Sequence, residues 1–415
     1  MNQTETQPEG LTAYITVTAA YWAFMLTDGA LRMLVLLHFH TVGFSPIQLA
    51  YLFLLYEVMG VVTNLSAGWL AARFGLTSTL YAGLGLQIVA LVALTWLDLG
   101  WSLWSSVVFV MCVQGLSGIA KDLAKMSAKS AVKLLAPSGE GGLFRWVAVL
   151  TGSKNAVKGL GFLLGAALLA VWGFEPSLWV MAAVLTVILG GVLAFMPSGL
   201  PRGSKKAKFS QVFSKDRDIN VLSLARMFLF GARDVWFVVG IPIYFYGVLS
   251  DGSHEGNRAA FFQIGTFMAL WIIGYGAVQA YAPKLLKAAH ATLPEIVARA
   301  IWWVGLLTLI PLALAGAAWA ELPELTAVLV VGLLLFGFVF AVNSSVHSYL
   351  ILAFSSAERV TMDVGFYYMS NAMGRLIGTL LSGVSYQVGG LPLCLATAAA
   401  MAGASFLAAR GLQES

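Results

Sequence analysis

Long apolar stretches run from about Tyr14 to His40, Gln48 to Ala72, Thr77 to Leu97 and Leu103 to Val132. Two more, near Phe144 to Val171 and Leu178 to Met196, precede a polar break, PSGLPRGSKKAKFSQVFSKDRD. Six follow it, near Asn220 to Phe245, Ala259 to Tyr281, Ile296 to Trp319, Ala327 to Leu350, Val360 to Tyr386 and Leu391 to Ala409. A helix crossing a bilayer uses roughly 20 apolar residues at about 1.5 Å each. The pattern therefore predicts an all-α integral membrane protein of about twelve spans, six on either side of a basic linker. The expected units are a tail over 1–12, a six-helix bundle over 13–196, the linker over 197–216, a second bundle over 217–411 and a short tail over 412–415.

Composition sharpens this. The chain is 59% hydrophobic and 10% charged, against about a quarter charged in soluble domains, so it lacks the polar surface that a water-soluble fold needs. The net charge of +5 raises the thought of nucleic acid, but the placement of the bases answers it. Arg202, Lys205, Lys206, Lys208, Lys215 and Arg217 sit between the halves, and Arg73, Arg145, Lys284, Lys287 and Arg359 lie in turns on the same side. Only Arg258 falls in a loop on the other side. Short basic loops stay inside, so both termini are expected in the cytoplasm of a bacterial cell, with the chain multi-pass in its inner membrane. The opening MNQTETQPEG has no basic stretch of the kind that starts a cleavable signal, and reads as a cytoplasmic tail.

The two halves echo one another. The first span carries Asp28, Gly29 and Arg32, and the seventh carries Gly231, Arg233 and Asp234 at comparable depth. The second span ends GWLAARFG (Gly68 to Gly75), which resembles the glycine-and-basic turn of major facilitator carriers, with Ala72 where an aspartate is usual. Two six-helix bundles related by an axis along the membrane normal are what that resemblance implies.

Charges at membrane depth carry the functional reading, because each costs about 2.5–3.5 kcal/mol to insert and so faces a bundle interior or an aqueous path. Arg32, Lys121, Lys154, Lys158, Arg226, Arg233 and Arg375 stand against Asp28, Glu57, Asp122 and Asp234, seven bases to four acids. Such a surplus selects an anion, and arginine forks suit phosphate-like oxygens. Lys154 and Lys158 share a helical face, and Lys121, Lys125, Lys129 and Lys133 form a ladder about 18 Å long. The last three of that ladder also read as lysines snorkelling to headgroups. Asp28 with Arg32, and Asp122 with Lys121 or Lys125, are candidate intrahelical pairs. Arg233 and Asp234 point about 100° apart and are not expected to pair. For Lys154, Lys158 and Arg375 no acid stands one turn away.

The remaining polar features read more simply. His38 and His40 face different sides of their helix and read as interfacial packing. Asn343, Asn371, Gln263 and Gln279 read equally as path lining or as bonds between helices. Cys112 and Cys394 are isolated and apolar in context, and glycines such as Gly159, Gly161 and Gly165 suit close packing. The sequence has no phosphate-binding loop with lysine, no HExxH and no CxxC, so it gives no sign of an enzyme, a metal or a cofactor.

The strings TDGALRMLVLLHFH (Thr27 to His40), QGLSGIAKDLAKMSAKSAVK (Gln114 to Lys133), RWVAVLTGSKNAVKGLG (Arg145 to Gly161) and GYGAVQAYAPK (Gly274 to Lys284) resemble the organoarsenical efflux permeases known as ArsJ. The resemblance spans nearly the whole chain. It implies export of 1-arseno-3-phosphoglycerate, a functional link to glyceraldehyde-3-phosphate dehydrogenase, which makes it, and arsenate resistance. In this reading Arg32, Lys121, Lys154, Lys158, Arg233 and Arg375 bind the substrate, while Asp28, Glu57, Asp122 and Asp234 serve as proton-coupling or structural acids of a monomer. The alternatives are an organophosphate-for-phosphate antiporter and a membrane-embedded lipid-handling protein.

Overall fold

A computed structural model describes residues 7–98, 100–135, 142–196, 214–285, 292–355 and 360–413. Most of the basic linker, Lys287 and Arg359 lie outside the described residues, as do the side chains of Ala72, Arg73, Lys129, Lys133, Arg145 and Lys284. The first half consists of α1 (Gln7–Thr41), α2 (Pro46–Ser66), α3 (Thr77–Leu94), α4 (Leu103–Leu135), α5 (Gly142–Trp172) and α6 (Phe174–Phe195). The second comprises α7 (Arg217–Leu249), α8 (His254–Leu285), α9 (Leu293–Trp319), α10 (Leu325–Phe354), α11 (360–388) and α12 (391–410).

Among the described residues eleven helical stretches are long and apolar enough to cross a membrane. The last of them, Asp363–Arg410, is 48 residues long, which at about 1.5 Å per residue is more than twice a bilayer's hydrocarbon thickness. It breaks at Gly389 and Gly390, the latter at φ 62°, and so makes two passes, giving twelve. The turn GWLAARFG likewise bends at Gly75, with φ 77°, a backbone region that glycine enters without the steric cost of a Cβ. Helix α2 starts from a capping box, in which the Ser45 side chain accepts from Gln48 N and the Gln48 side chain accepts from Ser45 N.

Helix α7 is not regular. Its turn Trp236–Gly240 widens to π geometry before Pro242, a residue that has no N–H to close the ladder. Ser382 of α11 secures the widened turn, its Oγ accepting from Val239 N at 3.2 Å and Gly240 N at 3.3 Å. The Cys394 thiol donates to Val235 O at 3.1 Å. This irregular turn follows directly on Arg233 and Asp234.

Close crossings within each half run over glycines, and the pattern repeats between halves. A Cβ on Gly165 of α5 would stand 2.1 Å from Ala30 O of α1, and one on Gly161 2.5 Å from Leu26 O. In the second half a Cβ on Gly374 of α11 would stand 2.0 Å from Met227 O of α7. The first helix of each half thus lies backbone to backbone against the fifth, next to the charges that those helices carry.

The halves meet along two seams. In one, α2 packs on α11, where a Cβ on Gly383 would stand 2.7 Å from Pro46 O. In the other, α5 packs on α8, with Gly159 against Ala269 O and Gly276 against Asn155. Both seams are built from small residues, which is how helices associate where no hydrophobic force acts between them and lipid.

Gly374→Val is expected to destabilise the purified protein by about 1–3 kcal/mol through overpacking of α7 on α11. Gly190→Val, at a position with nothing within 4 Å of a Cβ, is the control and should leave thermal unfolding in detergent unchanged. Equal unfolding temperatures for both variants would remove the glycine crossings from this description.

Candidate functional site

Glu57 of α2 is fully buried, and one of its carboxylate oxygens is shared by arginines from opposite halves. Arg32 Nη1 of α1 lies 3.1 Å from Glu57 Oε1, and Arg375 Nη2 of α11 lies 2.6 Å from the same atom. Arg375 continues the chain of charge, with its Nε 3.5 Å from Asp234 Oδ2 of α7. The other Asp234 oxygen holds Arg233, at 2.5 Å from Nη2 and 2.6 Å from Nε. One line of alternating charges, Arg32, Glu57, Arg375, Asp234, Arg233, therefore crosses the interface between the bundles.

Exposure divides the signs. The carboxylate side chains of Glu57 and Asp234 are 0% and 2% exposed, whereas those of Arg32, Arg233 and Arg375 are 12%, 13% and 16% exposed. The acids are sealed behind the guanidiniums, which carry what accessible surface the cluster has. An anion approaching it meets donors first. Glu57 Oε2 is buried without a hydrogen-bond partner, and Arg375 Nε has only its 3.5 Å ion contact with Asp234, so the cluster holds unused polar capacity at its centre.

More charge gathers on the first-half side. Asp28 accepts the Tyr56 hydroxyl at 2.8 Å to Oδ1 and 3.1 Å to Oδ2. Lys121 Nζ of α4 stands 4.1 Å from the centre of the Tyr56 ring, and a Cβ on Gly60 would be 3.9 Å from both this ammonium and Ala372 Cβ. Lys121 thus sits where α2, α4 and α11 meet. Lys158 of α5 lies 5.7 Å from the Phe162 ring centre. Among the described residues no hydrogen bond or ion pair engages it, and the charges of Arg375, Asp28, Arg32 and Lys121 act on it. Lys154, half-buried, lies one turn along the same face of α5. Arg32, Lys121, Lys158, Arg233 and Arg375 thus gather with Asp28, Glu57, Asp234 and, next to Lys121, Asp122, five cations to four carboxylates.

Asp122 belongs to a neighbouring polar group. It accepts from the Thr63 hydroxyl, from Asn64 Nδ2 at 3.4 Å and from Lys125 Nζ at 3.4 Å. Lys125 also donates to Asn64 Oδ1 at 2.6 Å and stands 5.3 Å from the Tyr368 ring centre of α11. The intrahelical pairing expected for Asp122 with Lys125 is present.

Several other expectations need correction. Arg233 and Asp234 do pair, because a guanidinium on three methylenes curls back over the intervening angle that separates the two Cβ directions. Asp28 is held by Tyr56 and Arg32 by Glu57, so these two are not each other's ion pair. Arg375 has no acid within a turn on its own helix and two on others, a kind of partner that helical spacing cannot reveal. Gln263 is exposed on α8 and, among the described residues, does not bond helix to helix. Asn343 bonds helix to helix, donating to Ala300 O at 3.2 Å, and Gln279 links Asn155 to Ser344. His38 stacks on Phe174 with ring centres 4.0 Å apart, and His40 meets Tyr246 across the halves at 4.8 Å. Both are packing contacts, as expected. Tyr56 and Thr63 were missed in the sequence, although each sits one residue, or one turn and a half, from the acid Glu57.

No group of three or more His, Cys, Asp or Glu suited to a metal occurs among the described residues.

No family model matches the chain, and no curated protein does. Solved structures match it over nearly its full length. A mutant of the nucleoside transporter NupG is 15% identical, with 97% of this chain and 99% of that one aligned at a TM-score of 0.67. A transporter of the POT family, in complex with a thioalcohol-conjugated peptide, is 14% identical, with 95% and 94% aligned at a TM-score of 0.71. At these identities the likeness is one of fold, and that fold is the major facilitator type.

Glu57→Gln removes the one carboxylate that Arg32 and Arg375 share, and breaking a buried pair in this way costs on the order of 3–5 kcal/mol. The purified variant is expected to unfold at a lower temperature, and adding Arg375→Gln should restore part of the loss. If the double variant is less stable than Glu57→Gln alone by the full Arg375→Gln effect, the two side chains are not coupled.

Proposed function

We propose that the chain is a secondary transporter that moves a multivalent organic oxyanion by alternating access, and that its substrate is 1-arseno-3-phosphoglycerate, exported across the bacterial inner membrane. The observation that supports the anion most directly is the shared Glu57 carboxylate. Guanidiniums from both halves converge on it, and they, rather than the acids, present the accessible surface. The substrate's identity rests on the ArsJ-like strings, which carry Asp28, Arg32, Lys121, Asp122, Lys154 and Lys158.

In this mechanism the oxyanion competes with Glu57. A phosphate or arsenate group presents several oxygens to Arg32, Arg375 and Arg233, where Glu57 gives a single shared oxygen to two of them. The substrate then takes over the contact that ties α2 to α11, and Lys121, Lys154 and Lys158 close on its other end. A ligand shifts a conformational equilibrium only by binding the two states differently. Exchange of an interbundle carboxylate for a mobile anion supplies such a difference, because the substrate can leave with one half whereas Glu57 cannot. The bundles rock around the site as it is exchanged.

Export needs no further driving ion on energetic grounds. With the cytoplasm negative, each negative charge moved outward gains about 2.3 kcal/mol per 100 mV. Asp28, Glu57, Asp122 and Asp234 remain available to carry protons, with Glu57 best placed because substrate binding frees it. Glyceraldehyde-3-phosphate dehydrogenase would supply the substrate, and the carrier would act as a monomer with both termini in the cytoplasm.

The test is uptake into everted membrane vesicles loaded outside with arsenate, glyceraldehyde 3-phosphate, oxidised nicotinamide cofactor and the dehydrogenase. Arsenic is expected to accumulate only when all four are present. Arg32→Ala, Arg375→Ala and Lys158→Ala should each reduce the initial rate at least tenfold at wild-type expression. Equal movement of free arsenate or phosphate would overturn the assignment of the ester and favour an organophosphate-for-phosphate exchanger.

A further inference from the structure

A second cation lies buried in the second half with no acid, among the described residues, at ion-pair distance. Arg226 sits seven residues before Arg233 on α7, so it occupies the same helical face about 10 Å away. Phe230 lies between them, its ring centre 4.1 Å from Arg226 Cζ and 4.8 Å from Arg233 Cζ. Arg226 is 3% exposed, and among the described residues no carboxylate comes within ion-pair distance of it. Its Nη1 donates to Ser344 O and Ser344 Oγ of α10, both at 3.0 Å. The Tyr367 ring of α11 is 5.0 Å from Cζ.

The two rings lie within cation–π distance of the guanidinium carbon. Arg226 Nε has no hydrogen-bond partner. Neither ring nitrogen of His347, a fully buried residue one turn along α10 from Ser344, has a partner either, and the Arg226 charge acts on this imidazole. The Tyr367 hydroxyl, buried on α11, has the Ser348 hydroxyl of α10 as its neighbour, outside strict hydrogen-bond geometry. Buried donors are almost always satisfied, and a buried charge is normally paired. An unpartnered guanidinium nitrogen on α7 and an unpartnered imidazole on α10, beside a buried hydroxyl on α11, meet neither expectation.

We propose that Arg226, His347 and Tyr367 form a second anion site, separate from the interbundle cluster, which takes a small monovalent inorganic anion of the size of chloride. One guanidinium with neutral donors around it balances a single negative charge, and burial on all sides excludes a metabolite. The anion accepts from Arg226 Nε, from one His347 N–H and from the Tyr367 hydroxyl. It pins α7, α10 and α11 together in the half that also carries Arg233 and Arg375.

The experiment is equilibrium binding of radiolabelled chloride to the purified full chain in lipid nanodiscs, with labelled inorganic phosphate as the second arm. Wild type and Arg32→Gln, which alters only the interbundle cluster, are expected to bind chloride saturably and with equal affinity. Arg226→Gln and His347→Ala should each weaken it at least tenfold. Tyr367→Phe, the mildest change and the one to rely on if Arg226→Gln does not fold, should weaken it severalfold. Saturable phosphate binding that Arg226→Gln abolishes and Arg32→Gln spares would keep the site and change the anion. No saturable binding of either anion by wild type, or affinity unaltered in Tyr367→Phe and His347→Ala, overturns the proposal and leaves Arg226 a structural cation held by rings and Ser344.

Discussion

One buried carboxylate holds two arginines that belong to different halves of the molecule. Glu57 is completely enclosed, and a charge so placed persists only because Arg32 and Arg375 repay its desolvation. That requirement fixes the rest of the centre. Arg375 needs Asp234 on its other edge, Asp234 needs Arg233, and the helices that carry them must approach closely enough for contacts of 2.5–3.5 Å. The bundles are thus joined at their middle by a contact whose strength depends on what else occupies it.

The close approach comes from the absence of side chains. Gly161 and Gly165 admit α1 against α5, and Gly374 and Gly378 admit α7 against α11, so the four helices bearing the main cations cross at backbone contact. The π turn after Asp234 adds a local freedom to α7 that its counterpart α1 does not share, and Ser382 secures it from α11. The second half therefore combines the less regular helix, the buried Arg226 and two of the three arginines of the charge line. The first half supplies the lysines and the single carboxylate that crosses to meet them.

Much of this could be read from the sequence, because lipid imposes simple rules. Apolar length indicates about twelve passes, and the insertion cost of charge singles out Arg32, Glu57, Arg233, Asp234 and Arg375. Pairing was less legible. Helical periodicity sees partners one turn away, as with Asp122 and Lys125, but is blind to Glu57 and Arg375, which are 318 positions apart. It also misjudged Arg233 and Asp234, where the length of the arginine arm outweighs the angle between Cβ directions. Tyr56 looked like one more apolar ring in a span, and only its hydroxyl on Asp28 gives it a polar task.

The most direct measurement is calorimetric titration of the purified carrier with 3-phosphoglycerate, a stable phosphate ester, at two ionic strengths, for the wild type and for Glu57→Gln with Arg32 and Arg375 intact. If the anion and Glu57 compete for the same guanidiniums, the variant binds more tightly than the wild type, and both lose affinity as salt rises. Binding that is weaker in Glu57→Gln, or indifferent to it, would mean that the carboxylate orders the arginines for the ligand or has no part in the site, and that the exchange of Glu57 for substrate does not occur.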